Sequence, residues 1–360
     1  MRARLLDFLC CPGCKAAFRV DEREREDDEI LEGELVCTGC GVRYPVTRGV
    51  PRILPAELRQ ETRQSAINFG GSWERFGSLK EAYRNQFLDW IRFHSLDEEF
   101  FRDKVILDFG CGKGRHSYLS SRFGAKEVIG IDVSSAVDVA YRNTRHLRNV
   151  HILQTDIYAL PLKAATFDYV FSIGVLHHLP APEQGFRIAL SMVRPGGSIS
   201  IWVYGRENNG WIIYGVNPIR SLTSKLPLEL LYWLSVPLAL LLHSILQLIY
   251  QPLDDLAPSL AKHLFYRDYL LYISQFNFNE IHHIIVDHLT APVAYYLRRE
   301  EVEAWFHRAG VQHVMMRWHN ANSWSALCHD CNLDPRQLVR SAVIEADSES
   351  PARALQTRVP

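Results

Sequence analysis

The chain has 360 residues, 47% of them hydrophobic, and sets 40 Lys and Arg against 41 Asp and Glu for a formal charge of −1. That length supports one large core with an appendage, folded as a soluble globule. No global field is left to draw in nucleic acid or acidic lipid, so composition speaks against nucleic acid as a partner. The opening MRARLLDFLCCPGC has a short apolar stretch but no long hydrophobic region or small-residue cleavage site. It does not read as a secretory signal, and a cytoplasmic protein is expected.

Four of the eight cysteines, Cys11, Cys14, Cys37 and Cys40, form two CxxC pairs, CPGC and CTGC, each followed by a β-like run, AAFRV and VRYPV. Each pair places two thiolates on one side of a tight turn, and tetrahedral zinc needs four. The pattern predicts a zinc-ribbon domain over residues 1–58, with Zn as a structural metal. So small a module buries little core, and metal binding on the order of 10 kcal/mol would hold it together. Between the pairs, DEREREDDE (21–29) reads as a solvated hairpin tip. The segment TRGVPRILP, with two prolines, closes the module. Next, INFGGSWERFG (67–77) carries Phe69, Trp73 and Phe76 at the 3–4 spacing of an amphipathic helix.

From residue 104 apolar runs alternate with helix-length segments: KVILDFG (104–110), EVIGID (127–132), NVHILQTD (149–156), FDYVFSIG (167–174) and GSISIWVY (197–204). That alternation predicts a doubly wound parallel sheet, whose ligands bind beyond the carboxyl ends of the strands. The turn after the first strand is glycine-rich, and its spacing argues against two ligands. A nucleotide-triphosphate loop would need glycine at Leu107 and a hydroxyl at Gly114, and a dinucleotide turn would need glycine at Arg115. What remains is Gly110-x-Gly112-x-Gly114 behind an acid, Asp108, which suits a cationic nucleoside without phosphate.

LDFGCGKG, followed in order by GID, QTDIYALPL, FDYVFSIGVLHHL and MVRPGGSISIWV, resembles class I S-adenosylmethionine-dependent methyltransferases. The resemblance implies an α/β, Rossmann-like seven-stranded sheet over residues 59–330 and S-adenosylmethionine as cofactor. It places Gly110, Gly112 and Gly114 against the methionine and ribose, and Asp108 near the ammonium. Asp132 would accept the ribose hydroxyls and Asp156 the adenine amine, with Ile157 over the ring. In this light 67–77 resembles an aromatic lid, with Trp73 over the cofactor. Methyl transfer is an in-line displacement, so the residues after strand four report the acceptor. SIGVLHHLP lacks the Asn/Asp-Pro-Pro-aromatic of amine methylases and the Pro-Cys of pyrimidine C5 methylases. This favours the quinone-biosynthesis-like branch and a small-molecule substrate, lipid-linked or glycosidic, with His177 as a candidate base.

Residues 205 to about 290 form a helical cap inserted after strand five, and 230–253 contain no acidic or basic residue. The length could span a bilayer, but later segments must return to the same sheet, Pro237 interrupts the run, and His243, Ser244, Gln247 and Gln251 form a polar stripe. The segment therefore reads as a cap, with peripheral membrane contact, a homodimer contact and burial in the insertion's own core all left open. Asp287 and His288, in NEIHHIIVDHLTAP, are the preferred pair for a general base. A third CxxC, Cys328 and Cys331, has no partner pair and reads as incidental; 331–360 read as a disordered tail. The alternative function is an rRNA or tRNA methyltransferase whose zinc ribbon recognises RNA. Against it stand nine basic and eleven acidic residues over 1–58.

Overall fold

A computed structural model describes residues 1–93 and 96–331; of the tail expected to be disordered, 332–360 lie outside the described residues. The ribbon is an antiparallel meander of β1 (Phe18–Glu26), β2 (Glu29–Cys37), β3 (Arg43–Thr47) and β4 (Val50–Ile53). The acidic run is mostly strand rather than hairpin tip. Asp21 to Glu26 lie in β1, with the turn at Asp27 and Asp28. Interleaved arginines make this tolerable: Arg23 and Arg43 both reach Glu34, at 2.8 and 2.7 Å, matching opposite charges across and along strands. The segment read as closing the module is itself β4.

Next come α1 (Gln60–Arg75) and α2 (Ala82–Trp90), and then the alternating unit β5 (Val105–Phe109), α3 (Arg115–Arg122), β6 (Glu127–Asp132), α4 (Ala136–Thr144) and β7 (Val150–Thr155). The chain crosses to β8 (Phe167–Ile173), α5 (Pro182–Met192) and β9 (Val193–Tyr204). The insertion holds α6 (Asn217–Thr223), α7 (Leu228–Ile245), α8 (Gln251–Leu256), α9 (Pro258–Ala261), α10 (Arg267–Ser274) and α11 (Phe278–Thr290). The chain ends with α12 (Arg299–Arg308), β10 (Met315–His319) and β11 (Ser323–Cys331).

One eleven-stranded sheet runs β1-β2-β3-β4-β7-β6-β5-β8-β9-β11-β10. Its centre, β7-β6-β5-β8-β9, is parallel, and both faces are covered. Ile106, Leu107, Val128, Ile129, Val170 and Phe171 are fully buried, as expected where helices pack on each side. Strand order reverses between β5 and β8, which opens the ligand crevice at their carboxyl ends. The ribbon continues this sheet, since β4 pairs in parallel with β7 through Arg52–Gln154 and Ile53–Thr155.

Beyond the parallel strands, β11 pairs antiparallel with β9, and Gly205, where the chain leaves β9, bridges to Leu297 just before α12. The insertion is thus a closed excursion. A helix runs unbroken from Leu228 to Leu256; Pro237 does not interrupt it. Of the expected polar stripe, Gln247 and Gln251 donate to the Ser274 carbonyl at 2.8 and 2.9 Å. Ala239, Leu246 and Tyr250 form a separate small core with Ile273, Ile281 and Ile285. Cys328 and Cys331 are joined by a disulfide within β11.

Candidate active site

A cavity of about 250 Å³ lies at the strand ends, walled by α1 on one side and by the insertion on the other. The glycine turn forms its floor. Gly110 has φ +98°, and a Cβ there would lie 2.3 Å from Val175; one on Gly112, φ +51°, would lie 3.1 Å from the Trp73 ring nitrogen. These residues must be glycine for the backbone to reach the cavity at all. Gly114 serves differently. A Cβ on it would meet Ala140 at 3.0 Å, so it seats α3 against α4 and does not line the cavity.

Asp132, at the end of β6, is the carboxylate the turn is built around. One oxygen accepts from the Gly112 amide at 2.9 Å, the other from the Ser134 amide and hydroxyl at 2.8 and 2.7 Å. Burial raises its pKa, and those hydrogen bonds pull it partly back. It lines the cavity, as do Trp73 and Ile157.

The other two predicted acids do not line it. Asp108 is 1% exposed and accepts from Ser117 Oγ at 2.7 Å; burial pushes its pKa to about 7. Asp156 accepts from the Tyr158 amide at 3.0 Å and caps a short 3₁₀ turn. The acids that line the cavity with Asp132, among the described residues, are Glu280 and Asp287.

The predicted lid segment lies within and just past α1. Phe69 and Trp73 face the cavity, and Phe76 stacks on His283 at 4.5 Å. Lys113, not singled out from sequence, is buried beneath Trp73. Its ammonium donates to the Phe76 carbonyl and Tyr83 hydroxyl, both at 2.7 Å, and burial draws its pKa down to about 7. A lysine between two required glycines was the available signal.

At the far end stand His178, Tyr204, His288, Tyr296 and Asp287. Of the two adjacent histidines, His178 lines the cavity and His177 does not. His177 is fully buried against the Tyr204 ring at 3.9 Å. His178 Nδ1 meets the Val293 carbonyl at 2.7 Å, which fixes the proton there and leaves Nε2 as a lone pair. Burial lowers His178 and His288 to about 4, so both rings are neutral at pH 7. Asp287 accepts from Ser72 Oγ at 3.0 Å and lies 3.3 Å from His283 Nε2. Burial alone would raise its pKa; His283 holds it below the usual range.

These residues fit an adenosyl ligand: a glycine cradle, a carboxylate presenting two oxygens, and apolar cover from Ile157 and Val133. The ribbon fits zinc equally well. Its four thiol sulfurs lie within 4.8 Å of one another, and a Cβ at Gly39 would press on Ala16 and Cys14 Sγ, at 2.8 and 3.2 Å.

Residues 107–201 match the family model described as a methyltransferase domain, and residues 2–49 match that of Trm112p-like protein. The tRNA U34 carboxymethyltransferase of Cellvibrio japonicus is 36% identical over 115 residues, 30% of this chain and 36% of that protein. Its Methylococcus capsulatus namesake is 37% identical over 172 residues, 47% of this chain and 49% of that protein. The chain spans about a third to a half of the length of these two relatives. A solved S-adenosylmethionine-dependent methyltransferase from Mesorhizobium loti is 23% identical, with TM-score 0.28, covering 30% of this chain and 55% of that one.

The curated relatives are named for a tRNA, which overturns two expectations: the quinone-like small-molecule branch with its small-molecule substrate, and the argument against nucleic acid. The first rested on signatures that SIGVLHHLP lacks, and a missing signature names no acceptor. The second rested on charge summed over the whole chain, which does not describe the surface beside a cavity. The chain carries a class I S-adenosylmethionine-dependent methyltransferase domain, an enzyme domain, behind a Trm112-like region that gathers four cysteines.

Proposed function

We propose that the chain transfers a methyl group from S-adenosylmethionine to a tRNA in the cytoplasm. The likeness to relatives named tRNA U34 carboxymethyltransferase over a third to a half of the chain carries this reading. In it, Asp132 holds the ribose, Gly110 and Gly112 admit the backbone to the ligand, and Ile157 and Trp73 cover it. Bound S-adenosylmethionine supplies an electrophilic methyl; the protein aligns the acceptor and holds its proton. His178 Nε2 and His288 face the acceptor end, with Asp287 between α1 and α11 as a fixed negative charge. His177 is a packing residue in this reading.

Phosphate contact would fall at the start of α1. Arg59 and Arg63, one turn apart and both exposed, flank Thr62 at the cavity wall, and neither forms an ion pair among the described residues. Arg59 lies over the Tyr158 ring at 4.7 Å. The test is incubation with methyl-labelled cofactor and total tRNA from cells lacking the gene. Label in tRNA nucleosides, reduced at least ~10-fold by Arg59→Ala/Arg63→Ala at 200 mM salt, is the expected result. Label absent from tRNA would refute it.

A further inference from the structure

Most large hydrophobic side chains that stand exposed among the described residues fall within 211–265. On α7, Leu231, Ser235 and Ala239 form the buried stripe. Opposite them Leu230, Trp233, Leu234, Leu238, Leu240 and Leu241 are each 47–65% exposed. At 100° per residue these six span an arc of about 160°. Within 230–249 the only exposed polar residue is Ser244, so this face offers an occupant almost no side-chain hydrogen bond and no charge.

We infer that this face of α7 lies on a lipid bilayer, inserted along its length without crossing. Three observations select lipid over other occupants. A protein partner would be met by roughly one hydrogen bond per 100–200 Å² across its face, whereas within 230–249 only Ser244 is exposed and polar, and the exposed charges Lys225, Glu229 and Asp255 lie at the two ends. A second copy of the chain would dock on the 4-3 seam Leu230, Leu234, Pro237, Leu241, Ser244, Leu248, but Pro237 and Ser244 occupy two of its positions. That seam would also leave Trp233, Leu238 and Leu240 in water. Hydrocarbon alone covers the full arc.

Crossing is ruled out by topology, because the excursion begins and ends side by side, at the bridge between Gly205 and Leu297. Apolar exposure continues at both ends of the helix, through Leu222 and Leu226 before it and Leu256 and Leu260 after it. The inference is independent of the acceptor.

The full chain is floated with phosphatidylcholine vesicles at low and high salt beside Leu234→Glu/Leu241→Glu. Both leucines are mostly exposed, at 59% and 58%, so the variant should keep the wild-type melting temperature. Wild type should float at both salts, and the variant's partitioning should fall ~100-fold, about tenfold per leucine. If the variant misfolds, brominated lipid supplies the test in wild type: it should quench fluorescence, and Trp233→Phe should remove much of that quenching. Wild type that stays with the soluble fraction, vesicle binding that high salt abolishes, or a lipid-free dimer broken by the leucine changes would each overturn the inference.

Discussion

Replacing Asp132 by Asn separates the carboxylate the cavity uses from those it does not. An amide keeps the volume but turns one acceptor into a donor, which then faces either the Gly112 amide or the Ser134 pair. That mismatch costs about 1–3 kcal/mol. Two ribose hydroxyls would also exchange a charged acceptor for a neutral one, at about 1 kcal/mol each. The mismatch is present with or without cofactor and lowers stability, whereas the ribose loss of about 2 kcal/mol lowers cofactor affinity, by roughly 30-fold. Asp156→Asn is the internal contrast, because its carboxylate caps the Tyr158 amide away from the cavity. It should shift affinity by no more than ~3-fold and leave stability within about 0.5 kcal/mol, because an Asn oxygen caps as well as a carboxylate. Titration calorimetry with S-adenosylmethionine reads both. Equal losses at the two positions, or an Asp132→Asn affinity within ~3-fold of wild type, would show that the cavity does not use Asp132 as argued.

Cys37→Ser, or treatment with a strong chelator, should release one zinc per chain and lower the melting temperature, since metal binding on the order of 10 kcal/mol holds a module with little core; an unchanged melt would refute a structural metal. Stability should also fall between pH 6.5 and 4. Over that range the unfolded chain protonates histidines that the folded one keeps neutral: His178 and His288, lowered to about 4, and His116 and His177, lowered well below 6.5. Asp108, raised to about 7, works the other way, gaining protons on folding between about 4 and 7. Urea unfolding at pH 5 and 6.5 should thus give a lower free energy at pH 5, and Asp108→Asn should steepen the slope. A higher value at pH 5 would refute neutral burial of the imidazoles.

Each strand of the parallel sheet was legible because burial on both faces leaves a run such as Val-Ile-Leu with little alternative. The cysteine pairs were legible because zinc dictates their spacing. Asp108 and Asp156 lie outside the cavity lining for one common reason: position at a strand end shows which residues approach the crevice but not which way a side chain turns. Ser117 captures Asp108, and the Tyr158 amide captures Asp156. His177 and His178 are adjacent and chemically identical, so only the Val293 carbonyl and the Tyr204 ring distinguish them. Both come from elsewhere in the chain. Pro237 misled because the helix around it gains enough packing on α11 to outlast a missing hydrogen bond.

The acidic outer strand of the ribbon makes sense once its inner edge is considered. Without β4, β7 would be the exposed edge of the parallel sheet, with free amides and carbonyls at Gln154 and Thr155. Pairing with Arg52 and Ile53 closes that edge. Arg52 then fastens it, reaching Asp138 at 2.6 Å and Gln154 at 3.0 Å. The residues directly after β7 are Asp156 and Ile157, and Ile157 walls the cavity. Zinc that holds β2 and β3 in register therefore also steadies the wall of the cofactor site, two strands away. None of this asks the ribbon to touch phosphate, so Asp21, Glu22, Glu24 and Glu26 can face outward without opposing the contact proposed for Arg59 and Arg63.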